Sequence, residues 1–236
     1  DNCGAGGLTV TNNAPAVFPI GTTTVVWTVR DAANNVATAS HTVTILDTQA
    51  PTVTAPANIV TGNDPGICGK SLTNVVLGSP VLSDNCGTGA LVVTNNAPAN
   101  FPIGTTTVVW TVRDAANNTT TASQTVTIND TQAPTIVAPS NITLANEAGL
   151  CGRSKSLVNL GTPSTSDNCA VTVLSNNAPN VFPRGTTIVT WTAMDAKGNF
   201  STATHSVTIN DTEPPSIQAP PTVTVNAAAG MCGRSG

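Results

Sequence analysis

Hydrophobic and polar positions alternate along most of this chain with a period of two. The clearest case is Thr105-Thr106-Thr107-Val108-Val109-Trp110-Thr111-Val112-Arg113-Asp114. Val108, Trp110 and Val112 share one face; Thr107, Val109, Thr111 and Arg113 share the other. Such alternation predicts a strand with one buried side. Ala115-Ala116-Asn117-Asn118 supplies a hairpin turn, and Thr119 to Ile128 a returning strand with Val126 and Ile128 on the inward parity. Upstream, Thr52–Ala55 and Asn58–Thr61 alternate on either side of Pro56. Gly62-Asn63-Asp64-Pro65-Gly66 turns the chain, Ser71–Leu77 reads as strand, and Leu91–Thr94 follows a glycine-rich turn. No segment has helical periodicity. About seven short strands per unit, with closely spaced turn signals, predict an all-β fold: an antiparallel β-sandwich of immunoglobulin-like class.

The pattern then repeats. The stretch from Asp84-Asn85-Cys86 to Asp130-Thr131-Gln132-Ala133-Pro134 is written almost identically from Asp1-Asn2-Cys3 to Asp47-Thr48-Gln49-Ala50-Pro51, and more loosely from Asp167-Asn168-Cys169 to Asp211-Thr212-Glu213-Pro214. Trp27, Trp110 and Trp191 step by 83 and 81 residues; Cys3, Cys86 and Cys169 step by 83 and 83. A fixed period of this size means a tandem array. Residues 48–130 and 131–211 read as complete units, 1–47 as the C-terminal part of one and 212–236 as the N-terminal part of another. Met231-Cys232-Gly233-Arg234-Ser235 matches Leu150-Cys151-Gly152-Arg153-Ser154, so the two partial units complement each other, as expected of a piece cut from a longer array. The three tryptophans, with their valine neighbours, are the expected core anchors.

Composition narrows the function. Only 8% of the 236 residues are charged, against roughly 25% in ordinary domains. A net charge of −4 without a basic cluster argues against nucleic acid and against an anionic membrane surface. No apolar run approaches the ~18 residues of a membrane span. His41 and His205 occupy one repeat position that Gln124 fills in the unit between them, and residues 51–130 contain no histidine, so no Ser-His-Asp or Cys-His set can be assembled in that unit. Enzyme activity and a catalytic cofactor are not expected.

A unit of about 80 residues buries a modest core and is marginal unless stapled. Cys68 and Cys86 lie 18 residues apart, as do Cys151 and Cys169. They read as disulfides within units, Cys68 with Cys86 and Cys151 with Cys169, leaving Cys3 and Cys232 to pair outside the sequence. Closing such a loop contributes roughly 3 kcal/mol. The alternative is zinc, which suits the wide spacing and lack of nearby histidine poorly. Disulfides imply an oxidising, extracellular compartment.

Nine of the twelve acidic residues fall at three repeat positions: Asp1, Asp84, Asp167; Asp31, Asp114, Asp195; Asp47, Asp130, Asp211. Asp64 and Glu147 share a fourth. One reading is turn chemistry, with each carboxylate bonding its own backbone. The other is calcium at the junctions, held by Asp47, Asp130 and Asp211, although one carboxylate per linker is few for an ion that takes six to eight oxygens. The linkers are short and end in proline, which predicts a semi-rigid rod. Threonine-rich, sparsely charged strand edges offer a route to pairing between chains.

Phe101-Pro102-Ile103-Gly104-Thr105-Thr106-Thr107-Val108, then Trp110-Thr111-Val112-Arg113-Asp114-Ala115-Ala116-Asn117-Asn118, together with Ala133-Pro134-Thr135-Ile136 and Ala138-Pro139-Ser140-Asn141-Ile142, resemble the hyalin repeat, or HYR domain. The Asp-Asn-Cys and Gly-x-Cys-Gly elements are similar to those of bacterial members. The resemblance covers the whole chain. It implies an immunoglobulin-like sandwich used in extracellular adhesion and in long surface proteins of Bacteroidetes-type bacteria. Two departures stand out. Ala55 and Ala122, and Ala138 and Ala203, occupy places where the family often has cysteines. His41, Gln124 and His205 stand where it has phenylalanine, which predicts looser packing near the last strand. The expectation is a structural extracellular repeat protein: a stalk, fibre or filament on a bacterial surface, serving adhesion or assembly. Its partners would be copies of itself, neighbouring repeats, or surface glycans or proteins. The alternative is a glycan- or protein-binding adhesin module, accessory to a secreted enzyme.

Overall fold

The computed structural model describes residues 7–227, 229, 230 and 232; Asp1 and Cys3 lie outside them. The chain divides into two compact units, residues 1–131 and 132–236.

In the first unit, β1 (Thr9–Asn12), β2 (Gly21–Arg30) and β3 (Val36–Ile45) form an antiparallel sheet in the order β1-β2-β3. The complete repeat follows with β4 (Thr52–Thr54), β5 (Ile59–Gly62), β6 (Gly69–Ser71), β7 (Val81–Ser83), β8 (Val92–Asn95), β9 (Asn100–Pro102), β10 (Gly104–Arg113) and β11 (Thr119–Asn129). Its main sheet runs β5-β11-β10-β8. The hairpin is in the register the alternation predicts, Trp110 opposite Ala122 and Val108 opposite Gln124. The first strand of that sheet is a departure: β5 lies parallel to β11, Ile59 opposite Val126, so the sheet is mixed. Two antiparallel pairs, β4-β7 and β6-β9, complete the repeat.

The core collects from the inward parity. Val108, Val112 and Val126 are fully buried and Trp110 is buried, while Val75 and Phe101 close the cluster from outside the main sheet. Burying each such side chain contributes roughly 1.5–3 kcal/mol. Trp27 does not do the same. Its face of β2 has no second layer among the described residues, and it stays 40% exposed; it is not a core anchor here.

Ser71–Leu77 is not a strand. β6 stops at Ser71 and a 3-10 turn takes Leu72–Asn74. The cause is Asp64. Its Oδ2 accepts from Ser71 N at 2.9 Å and from Asn74 Nδ2 at 2.8 Å, and its Oδ1 from Lys70 Nζ at 3.0 Å. These bonds hold the Asp64 carboxyl below its ordinary pKa, the Ser71 backbone bond contributing most.

Nor is the packing loose where phenylalanine gives way to Gln124. That side chain is fully buried. Its amide donates to Ala57 O at 2.7 Å and Leu77 O at 2.9 Å. A buried amide so placed is fully used, and it ties the main sheet to the segments beside β4 and β7.

The second unit repeats this plan with β12 (Thr135–Val137), β13 (Ile142–Ala145), β14 (Gly152–Ser154), β15 (Ser164–Ser166), β16 (Val171–Asn176), β17 (Val181–Pro183), β18 (Gly185–Asp195) and β19 (Phe200–Asn210). Its main sheet is β13-β19-β18-β16, again with the first pair parallel. Phe182, Val189, Trp191, Val207 and Ile209 are buried together with Val158. A register shift falls between Val171 and Val173, where the turn after Cys169 is shorter than its counterpart. Residues 211–227, where a further unit was expected to begin, form no strand. The equivalent segments, β4 and β5, owe their form to pairing with β7 and β11.

Candidate functional site

Recurring polar residues lie at the linkers between repeats: Thr131 and Thr212 are held by the repeat they leave, and Asp47 and Gln49 by the repeat they enter. On the exit side, Asn63 begins where the parallel pairing of β5 with β11 ends, its N–H donating to Asn129 O at 2.9 Å. Its Oδ1 then accepts from Thr131 N at 3.1 Å and Thr131 Oγ1 at 3.2 Å. Asn146 does the same for Thr212, at 3.1 and 3.2 Å. Each asparagine thus caps the first residues after the last strand of its own repeat.

On the entry side the clamp is the β10–β11 turn. Asp114 Oδ1 accepts from Asn118 N, and its Oδ2 from Asn118 Nδ2, both at 2.8 Å. So oriented, Asn118 Nδ2 also donates to the linker carbonyls of Asp47 at 3.2 Å and Gln49 at 3.4 Å. Pro51 is buried at the end of this segment. Asp195 builds the equivalent turn by accepting from Lys197 N, Asn199 N and Asn199 Nδ2, and Asp31 does so with Asn35. In Asp114 and Asp195 burial raises the carboxyl pKa, but the turn hydrogen bonds outweigh it and hold both below the ordinary value. The turn reading of these aspartates is therefore what the geometry carries.

The aspartates proposed for calcium are distributed differently. Asp47 Oδ1 accepts from Gln49 N at 3.2 Å, and ligand atoms of Asp47, Asp84 and Cys86 lie within 4.8 Å of one another. Asp84 Oδ2 accepts from Cys86 N at 3.0 Å while its Oδ1 is buried without a hydrogen-bond partner. Two carboxylates and a thiol are a poor set for a hard cation that takes six to eight oxygens. Asp130 is buried at the end of β11. Asp211 makes an exposed ion pair with Arg184 at 3.4 Å.

The cysteines overturn the expected staples. Cys68 and Cys169 are disulfide-bonded, whereas Cys86 and Cys151 are thiols, as is Cys232. Neither Cys68–Cys86 nor Cys151–Cys169 forms. The reason is strand geometry. Cys68 adjoins Gly69, whose carbonyl accepts from Asp64 N at the exit end of the repeat. Cys86 lies at the entry end, its Sγ within 4.8 Å of an Asp47 carboxylate oxygen. The 11 residues of β11 separate those ends, about 35 Å at strand rise, while bridged Cα atoms lie within about 7 Å. Partial desolvation first, then the Asp47 carboxylate and the charges of Asp84 and Asp114, push the Cys86 thiol above its ordinary pKa. Cys151 lies at the exit end of its own repeat beside Asn146, Asp211, Glu213 and Pro214. There Gly149 N donates to the Glu213 carboxylate at 3.0 Å. The glycine after each exit cysteine is obligatory: a Cβ on Gly69 or Gly152 would sit 2.4 Å from Phe101 O or 2.6 Å from Phe182 O.

The roles of Asn63, Asn118 and Gln124 escaped the sequence reading. The first two carried a signal, since asparagine recurs at both positions in the complete repeats (Asn146 and Asn199).

A chain of successive β-sandwiches joined by five-residue linkers belongs to the class of tandem β-repeat proteins. Comparison makes this specific: residues 46–128 and 129–209 each match the HYR domain, and the chain belongs to that family. It is 37% identical over 231 residues to hyalin of the sea urchin Lytechinus variegatus, covering 92% of this chain and 42% of that protein. It is 37% identical over 233 residues to hyalin of Strongylocentrotus purpuratus, covering 93% and 19%. The chain thus spans less than half the length of either relative. These relatives are animal proteins, and nothing in the comparisons points to a bacterium. Among solved structures it is similar to Drosophila N-cadherin EC1-4, with TM-score 0.40 and 11% identity over 82% of this chain and 59% of that one. Protocadherin gamma B7 extracellular cadherin domains 1-4 match with TM-score 0.39 and 12% identity, over 80% and 57%. Among the described residues, no helix is long and apolar enough to cross a membrane.

Proposed function

We propose that this chain is a segment of an extracellular structural array, a semi-rigid stalk or fibre shaft that serves adhesion or assembly by holding its ends apart. The observations that carry this are the clamps on two successive linkers: Asn63 caps Thr131 where one linker leaves the repeat, and Asn118 holds Asp47 O and Gln49 O where another enters it. A linker whose backbone donors or acceptors are taken up by an adjoining repeat has fewer conformations left to it. Disulfide-bonded Cys68 and Cys169 support an oxidising compartment outside the cell. The natural partners of such an array are further repeats and further copies, which the weakly charged, threonine-rich edges suit. A bacterial setting rests on the resemblance of the Asp-Asn-Cys and Gly-x-Cys-Gly elements alone.

Small-angle scattering of the purified chain tests the proposal. A rod-like profile, with a maximum dimension that stays constant from low to moderate salt, is the expected result. A compact or widely variable envelope contradicts it.

A further inference from the structure

Each complete repeat carries one cysteine of each of two kinds. Cys68 and Cys151 follow the Gly-x-Cys-Gly pattern; Cys86 and Cys169 follow Asp-Asn-Cys. The structure divides them unexpectedly. One of each kind, Cys68 and Cys169, is disulfide-bonded, and one of each kind, Cys86 and Cys151, is a thiol. Neither position is therefore built to stay reduced. The second cysteine of each repeat being a thiol, neither observed bond is a bond within a repeat.

Placement gives the rule. The Gly-x-Cys-Gly cysteine stands at the exit end: Cys151 is beside the outgoing linker residues Asp211, Glu213 and Pro214. Gly152 presses that loop onto Phe182 O, where no side chain fits. The Asp-Asn-Cys cysteine stands at the entry end: Cys86 Sγ lies within 4.8 Å of an Asp47 carboxylate oxygen of the incoming linker, and its backbone is fixed by Asp84. In a tandem array with linkers of five residues, the exit end of one repeat adjoins the entry end of the next.

We propose that the disulfides of this array run between consecutive repeats, from a Gly-x-Cys-Gly cysteine to the Asp-Asn-Cys cysteine of the repeat that follows. Cys86 is then the mate of the Gly-x-Cys-Gly cysteine of the preceding repeat, and Cys151 the mate of the Asp-Asn-Cys cysteine of the following one. Each bond forms from two thiols. The two protons and two electrons pass to a small-molecule or protein disulfide, which is reduced to two thiols. The result is a covalent path that crosses every linker beside the peptide chain, so that force on the shaft is shared by two strands of bonds at the joint. This covalent path is separate from linker stiffness, and scattering does not read it.

The test is a non-reducing peptide map of the native protein, with free thiols blocked by N-ethylmaleimide before denaturation at acid pH. Trypsin separates the relevant cysteines: residues 31–70 hold Cys68, 71–113 hold Cys86, 114–153 hold Cys151 and 156–184 hold Cys169. The expected result joins the 71–113 peptide to one bearing a Gly-x-Cys-Gly cysteine of another repeat, and the 114–153 peptide to one bearing an Asp-Asn-Cys cysteine of another repeat. Maleimide on Cys86 or Cys151 in native material overturns the proposal. So does a 31–70 peptide joined to 71–113, which is the within-repeat bond.

Discussion

Trp110 Nε1 donates to Gln124 Oε1 at 3.1 Å across the β10–β11 hairpin, with both side chains buried. Gln124 spends the other end of its amide on Ala57 O and Leu77 O, so one side chain satisfies three buried groups. Gln124→Ala leaves all three without partners, and leaving a buried polar group unsatisfied costs about 1–3 kcal/mol. The expected loss is about 3 kcal/mol in chemical denaturation of the first complete repeat. A loss under about 1 kcal/mol would show that the amide is dispensable.

The second repeat performs the same task less well. His205 is buried, and Trp191 Nε1 and both ring nitrogens of His205 lack hydrogen-bond partners; the rings meet edge to face at 6.3 Å. His205→Gln restores the acceptor that Trp110 enjoys, with the carbonyls of Ser140 and Leu160 at the repeat positions of Ala57 and Leu77. The variant should be more stable by about 1 kcal/mol, read as a shift in denaturation midpoint. A lower midpoint contradicts this account.

Burial also lowers the His205 pKa from 6.5. Above 6.5 the folded and unfolded chains are both neutral there, and stability is unaffected. As pH falls below 6.5, the unfolded chain takes up a proton that the buried ring resists, so stability drops until the folded-state pKa is passed. The melting temperature of the second repeat should therefore fall between pH 7.5 and 5, and less so in His205→Gln. The carboxylates act lower. Asp31, Asp64, Asp114, Glu147 and Asp195 all have depressed values. Their contribution is complete above their unfolded values and is lost as pH falls through the folded ones, below about 4. Melting curves for wild type and His205→Gln that run parallel from pH 7.5 to 5 contradict the histidine assignment.

Calcium is expected to change little at the Asp47 junction, because Asp47, Asp84 and Cys86 present two carboxylates and a thiol. Melts with millimolar calcium and with chelator should coincide. A rise of several degrees with calcium, abolished by Asp84→Asn, would reinstate an ion there.

Asn118→Ala removes the entry-side clamp while leaving the Asp114 turn its backbone bonds, Asp114 N to Asn118 O and Asn117 N to Asp114 O. Amide hydrogen exchange should accelerate at residues 47–50, and little elsewhere. Unchanged exchange there contradicts the clamp.

The sheets were legible because period two is a local property: Val108, Trp110 and Val112 announce their face in five residues. The hairpin turn at Asp114 was legible for the same reason. The parallel pairing of β5 with β11 was not, since it joins segments about 67 residues apart, and the Asn63 clamp depends on that register. The 18-residue spacing of cysteines misled because nearness in sequence says nothing about ends. Between Cys68 and Cys86 the chain travels from the exit end to the entry end of the sandwich. Gln124, read as a lost phenylalanine, was judged by packing alone, whereas its value lies in Ala57 O and Leu77 O, which only the folded repeat brings near.

The most direct test of the central claim is electron microscopy of the native assembly. The proposed shaft predicts straight, uniform segments about 20–25 Å wide, one sandwich across, or regular fibres built from them, with a repeat along the axis. Loosely jointed beads with freely varying angles between consecutive repeats would contradict it.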